Sequence, residues 1–227
     1  MKNILSKKWT RLILVILVCF LDIAFSAFYI YWMKNRHIAI PVSEASGNMG
    51  EIFIQNIISV GFPIILLIGM YCILKKKFSK ELYLRIETKR QKIYIILLLA
   101  VLVGILSVLL IIKTDRITVI YALFYYVFII AFWEEIVIRG ICVYFVKGYS
   151  TIFRFLIPNI AFAFMHIFSY SSWGALSTEY VMNFVTNDVL GLVFAGCIFQ
   201  LLKEKTGTIW IPVLVHGILD YTSVFAF

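Results

Sequence analysis

Seven apolar stretches, each near the twenty or so residues that a helix needs to cross a bilayer, divide this sequence: 12–33, 52–74, 93–112, 117–146, 151–168, 180–202 and 209–226. A backbone in hydrocarbon must satisfy its own hydrogen bonds, so each stretch reads as a helix and not as an open strand. The expected fold is all-α, a single polytopic membrane bundle of about seven transmembrane helices over residues 1–227. Composition agrees, with 63% of residues hydrophobic and 15% charged. Soluble chains are about half apolar and a quarter charged.

The net charge of +9 calls for no nucleic acid. Sixteen of the 21 lysines and arginines fall in segments on the N-terminal side of the bundle, four on the other side, and Arg139 lies inside a stretch. Basic residues concentrate on the cytoplasmic side, so the N-terminus is expected inside the cell membrane and the C-terminus outside. The first stretch, preceded by Lys2, Lys7, Lys8 and Arg11, is too long for a signal peptide and reads as a retained span. Residues 75–92 read as a solvated basic loop, the alternative being a helix lying on the inner leaflet. Cys19, Cys72, Cys142 and Cys197 sit in apolar runs without paired spacing and read as packing residues.

The fourth stretch carries the anomaly, Phe132-Trp133-Glu134-Glu135-Ile136-Val137-Ile138-Arg139-Gly140. A charge at the centre of a membrane helix costs about 2.5–3.5 kcal/mol on insertion scales and marks a functional site by default. Glu135 and Arg139 are four residues apart, share a helical face and can neutralise each other. That leaves Glu134 without a local partner, rotated about 100° around the helix. It is either a general base or a second glutamate bonded to another helix.

Two later stretches supply imidazoles. Phe162-Ala163-Phe164-Met165-His166 is an apolar face ending in His166, and His216-Gly217-Ile218-Leu219-Asp220 sets His216 and Asp220 on one face. Counted at 1.5 Å per residue from the basic ends, Glu134, His166 and Asp220 lie roughly 17–18 Å deep and His216 roughly 10 Å deep. These depths let the groups meet.

Glu134-Glu135-xxx-Arg139, Phe162-xxx-His166 and His216-xxx-Asp220, in this order, resemble the CPBP family of intramembrane proteases. That group contains the type II CAAX prenyl endopeptidases and the bacterial Abi proteins linked to bacteriocin processing and immunity. The resemblance covers roughly residues 132–220, including Leu190-Gly191-Leu192-Val193-Phe194-Ala195-Gly196 and Thr206-Gly207-Thr208-Ile209-Trp210-Ile211-Pro212. A family-like core of about residues 117–227 follows.

The resemblance implies endoproteolysis in the membrane by a glutamate-activated water, in a polar cavity open toward the cytoplasm, on a membrane-embedded or lipid-anchored peptide or protein. Glu134 matches the general base, Glu135 and Arg139 the supporting ion pair, and His166 the second group acting on the water or leaving amine. His216 and residue 220 match the pair that stabilises the oxyanion. Many relatives have asparagine where this chain has Asp220, which cannot donate a proton unless it carries one. Asp220 is therefore read as orienting His216, with His216 as the donor.

No cofactor is expected. Zinc on Glu134, His166 and His216 is the alternative, although no HExxH is present. No GxSxG-like serine lies inside a stretch, and Ser169, Ser171 and Ser172 fall in a loop. Phe162, Asn187 and Asp22 are candidates for the walls of a substrate cavity. The competing function class is a non-catalytic bacteriocin-immunity or signalling-regulator protein on the same scaffold. A proton-coupled transporter ranks last, because internal repeats are missing.

Overall fold

Tight helical segments follow from the apolar runs, and their ends from specific caps. The structure, a computed structural model, describes residues 8–36, 40–168 and 177–225. Lys2, Lys7, Ser169, Ser171, Ser172, Ala226 and Phe227 lie outside the described residues. Six helices are long and apolar enough to cross a membrane: α1 (Lys8–Met33), α2 (Met49–Glu81), α3 (Lys89–Ile112), α4 (Arg116–Val146), α5 (Thr151–Phe168) and α6 (Thr178–Thr206). No strand occurs among the described residues. The protein is a multi-pass helical bundle.

The seventh apolar stretch is helical but shorter than expected. α7 (Trp210–Ser223) has 14 residues, about 21 Å at 1.5 Å per residue, against about 30 Å of hydrocarbon. It loses residues mainly at its end, where Val224 and Phe225 form a turn; just before it, Gly207 takes φ 71, the left-handed conformation that ends α6. The Ile209 amide then donates to the Tyr83 carbonyl at 2.9 Å.

That contact also revises the segment 75–92. Helix continues through Phe78–Glu81, and Leu82 is fully buried. The Leu84 carbonyl accepts the Trp210 indole N–H at 3.0 Å. The stretch is a largely exposed basic loop after Glu81, as expected, but it is anchored: Leu82 is buried and the Tyr83 and Leu84 carbonyls are bonded to the start of α7. Thr88 and Gln91 form a capping box that opens α3, and Gln91 Nε2 donates to the Thr206 carbonyl at 2.8 Å.

α4 is the axis of the bundle, packing against α1, α2, α3, α5 and α7, while α6 closes on α5 and α7. Every residue of Ile136–Cys142 is buried. Two wide π-helical stretches, Tyr125–Ala131 and Ile136–Cys142, bracket the short α-helical turn Phe132–Glu135. Such wide turns gather at functional sites because they re-aim side chains. At the start of α4, Ser46 donates to Asp115 at 2.7 Å and Asp115 accepts the Thr118 amide at 3.1 Å. These bonds, Ser46 first, hold the Asp115 carboxyl below its usual range.

The outward face is apolar, as lipid requires: Ile111 is 82% exposed and Leu190 74%. All four cysteines are free; Cys142 is buried, as a packing residue should be, whereas Cys72 is exposed.

Candidate active site

Arg139 and Glu135 are both 0% exposed and pair at 3.1 Å between Nη1 and Oε1. The pair expected from the i, i+4 spacing therefore forms, and it sits deeper than any other ion pair among the described residues. Arg139 lies between two rings, 4.3 Å over Phe162 and 5.5 Å over Phe199. Its Nη2 donates to Asn159 Oδ1 at 3.2 Å.

Behind this pair runs a polar chain that no local spacing signals. Pro158 inside α5 removes an N–H from the helix ladder, which frees the carbonyl four residues back, on Arg154. Gln200 Nε2 donates to that carbonyl at 3.0 Å, and Gln200 Oε1 accepts from Asn159 Nδ2 at 3.1 Å. Asn159 Nδ2 also donates to the Phe155 carbonyl at 2.7 Å. Lys203, buried on α6, donates to the Arg139 backbone carbonyl at 3.0 Å. Gly196 makes this possible, since a Cβ there would lie 2.5 Å from Asn159 Oδ1 and 2.8 Å from Arg139 Nη2.

Glu134 points elsewhere, into the cavity. Its Oε2 lies 3.5 Å from His166 Nε2 and 3.7 Å from His216 Nε2, without a hydrogen bond of its own. The three groups expected to meet do meet. The His166 Nδ1 lies 2.8 Å from the Phe162 carbonyl, which can only accept, so Nδ1 carries the proton. Its Nε2 in the neutral ring is then an acceptor facing Glu134. Both residues line the cavity, where a water can reach the carboxylate and the ring together.

His216 is held differently from the sequence reading. Its Nδ1 lies 3.0 Å from Glu135 Oε1, and its Nε2 lies 3.3 Å from Asp220 Oδ2. Glu135, paired with Arg139, fixes the ring from behind, while Asp220 stands on the cavity side with Glu134. The i, i+4 rule sees only the partner on the same helix, so the contact between α4 and α7 was missed. Phe199 stacks on the His216 ring at 4.6 Å.

A cavity of about 690 Å³ exposes Glu134, His166, His216 and Asp220 together. A second arm of about 230 Å³ shares Glu134 and His166 and runs to Asp22. Phe162 lines both arms. Of the predicted wall residues, Phe162 and Asp22 are therefore present; Asn187 is exposed and lines neither arm. Asn187 falls in the π-helical stretch Phe184–Asp188, whose wider turns displace a face counted at 3.6 residues per turn.

Among the described residues no three His, Cys, Asp or Glu side chains form a metal-holding group. His216 already has Nδ1 on Glu135 and Nε2 facing two carboxylates.

Residues 116–222 match the family model described as type II CAAX prenyl endopeptidase Rce1-like. The match agrees with the resemblance carried by the glutamate and histidine motifs. No curated protein and no solved structure matches the chain.

Proposed function

We propose, from the premise that residues 116–222 are an Rce1-like domain of CAAX-protease type, that this protein hydrolyses a peptide bond of a membrane-associated substrate with a glutamate-activated water. The observation that carries the reading is Glu134, whose side chain lines the cavity, 29% exposed, while its Oε2 lies 3.5 Å from His166 Nε2 and 3.7 Å from His216 Nε2. Glu135, by contrast, is fully buried and its Oε1 is committed to Arg139 and His216.

The water sits in the cavity against the Glu134 carboxylate and the His166 ring, both of which line it, with the ring oriented by the Phe162 carbonyl. Its oxygen bonds to the scissile carbonyl carbon as Glu134 takes one proton. His216, as imidazolium, donates Nε2–H to the oxyanion while Glu135 holds Nδ1–H. The tetrahedral species collapses, the C–N bond breaks, and Glu134 returns its proton to the leaving amine. A carboxyl and an amine terminus result. Asp220 adjusts the charge around His216 and is not the oxyanion donor, since a carboxylate cannot donate. The surrounding apolar helices strengthen each of these interactions by excluding bulk water. The lysine and arginine distribution supports a cytoplasmic N-terminus. On that orientation Tyr29, Gln55, Tyr125 and Phe168 line the cavity from the outer halves of their spans, so the cavity is reached from the outer side and not, as expected from the resemblance, from the cytoplasm.

The test uses purified protein in detergent with a prenylated CAAX peptide and with membrane-protein substrates. Glu134→Ala and His166→Ala should each lower cleavage by at least about a hundredfold, the scale of a positioned acid–base group, with helical content unchanged. Undiminished cleavage in both variants refutes the reading.

A further inference from the structure

The smaller arm of the cavity is walled in part by residues outside the matched segment. It is walled by Phe25 and Tyr29 of α1 and by Tyr125 and Trp133 of α4, with Asp22 at one side and Glu134 at the other. No described residue hydrogen-bonds to or ion-pairs with Asp22. A carboxylate in a membrane helix is costly unless something compensates it, and among the described residues the group that offsets its charge is the His166 imidazole, which already faces Glu134. Among the described residues no lysine or arginine lines either arm.

Charge within the cavity is unbalanced as a result. Glu135 and Arg139 cancel each other, leaving Asp22, Glu134 and Asp220 against two imidazoles. Asp22 is near enough to Glu134 for the two to repel. A substrate carboxylate in the small arm would meet two like charges in a poorly screened site. A cation would meet a carboxylate and aromatic faces, the two kinds of group that hold organic cations. The arm has room for one long side chain.

We infer that the small arm binds a lysine or arginine side chain of the substrate, seated against Asp22 beside the bond that Glu134 hydrolyses. This rests on the endopeptidase reading above and adds a substrate class to it. The segment recognised is basic near the cut, and the selectivity comes from α1, outside residues 116–222.

The probe is a set of N-acylated, internally quenched peptides in detergent micelles, carrying lysine, norleucine or glutamate at each position in turn. Wild-type protein should cleave the lysine peptide with a kcat/KM about tenfold or more above norleucine at one position, and glutamate worst there. In Asp22→Asn and Asp22→Ser the lysine-to-norleucine ratio should fall to about one whatever the absolute rate, and in Asp22→Lys glutamate should become the preferred residue. Equal cleavage of lysine and norleucine peptides by wild type overturns the inference. So does a lysine preference that survives in Asp22→Asn or Asp22→Ser. If wild type cleaves no peptide, the endopeptidase reading falls, and fluorescence-polarisation binding of the same peptides decides: tighter lysine binding lost in Asp22→Asn supports the subsite, and equal binding overturns it.

Discussion

Replacing Arg139 by methionine isolates what the buried pair contributes. Glu135 and Arg139 are both fully buried and 3.1 Å apart, so removing one partner leaves a carboxylate where water does not reach. Breaking a buried pair in this way costs about 3–5 kcal/mol. The double variant Glu135→Gln/Arg139→Met removes both charges and keeps an amide oxygen to accept from His216 Nδ1. Its remaining defect is Asn159 Oδ1, which loses the Arg139 donor, at about 1–3 kcal/mol. The double variant should therefore be roughly 2 kcal/mol more stable than the single one. Thermal unfolding in detergent, followed by labelling of the buried Cys142 thiol over the constant signal of exposed Cys72, gives the order of midpoints: wild type, double, single. Cleavage should remain impaired in the double variant, because an amide does not balance the His216 imidazolium as a carboxylate does. A single variant as stable as wild type, or a double variant no better than the single, refutes this account of the pair.

The close helix contacts give two further predictions. Gly196→Ala puts a methyl 2.5 Å from Asn159 Oδ1 and should cost about 1–3 kcal/mol, with activity falling as Arg139 is displaced; an unchanged midpoint and rate would contradict the packing. Gly217→Ala meets Val127 Cγ2 at 2.9 Å and its backbone Cα at 3.0 Å, and should cost a similar amount, about 1–3 kcal/mol, in the same thermal assay. At the start of α4, the Asp115 carboxyl is held below its usual range by Ser46 and Thr118. Its stabilisation is thus fully present above the unfolded-state value, about 3.9, and is lost as pH falls through the lower folded-state value. Hydrogen exchange of the 116–119 amides should accelerate, relative to neighbouring helices, only in that acid range, and Asp115→Asn should abolish the step.

The legible parts of this molecule were those set by one helix at a time. Apolar length marked six spans, and i, i+4 spacing paired Glu135 with Arg139 and His216 with Asp220. Glu134 was singled out because its own helix offered no partner, and the cavity is where it points. Contacts between helices left no such mark. The Glu135–His216 bond, the Asn159–Gln200 chain and the Lys203 cap on Arg139 join residues 20 to 81 apart. Pro158 was the one available hint, since a proline in a span frees a carbonyl that some side chain must meet. Asn187 was misplaced by the wide turns of Phe184–Asp188, and α7 was overestimated because hydropathy does not show where a turn takes residues from a helix.

The claim that Glu134 activates water for peptide-bond hydrolysis is tested most directly in cells. Membrane and peptide proteomes are compared between cells expressing wild-type protein and cells expressing Glu134→Gln at equal level. The account predicts peptides with new termini, cut within or beside a membrane segment or lipid anchor, that appear with wild type and are absent with Glu134→Gln. The same set of termini in both would contradict it.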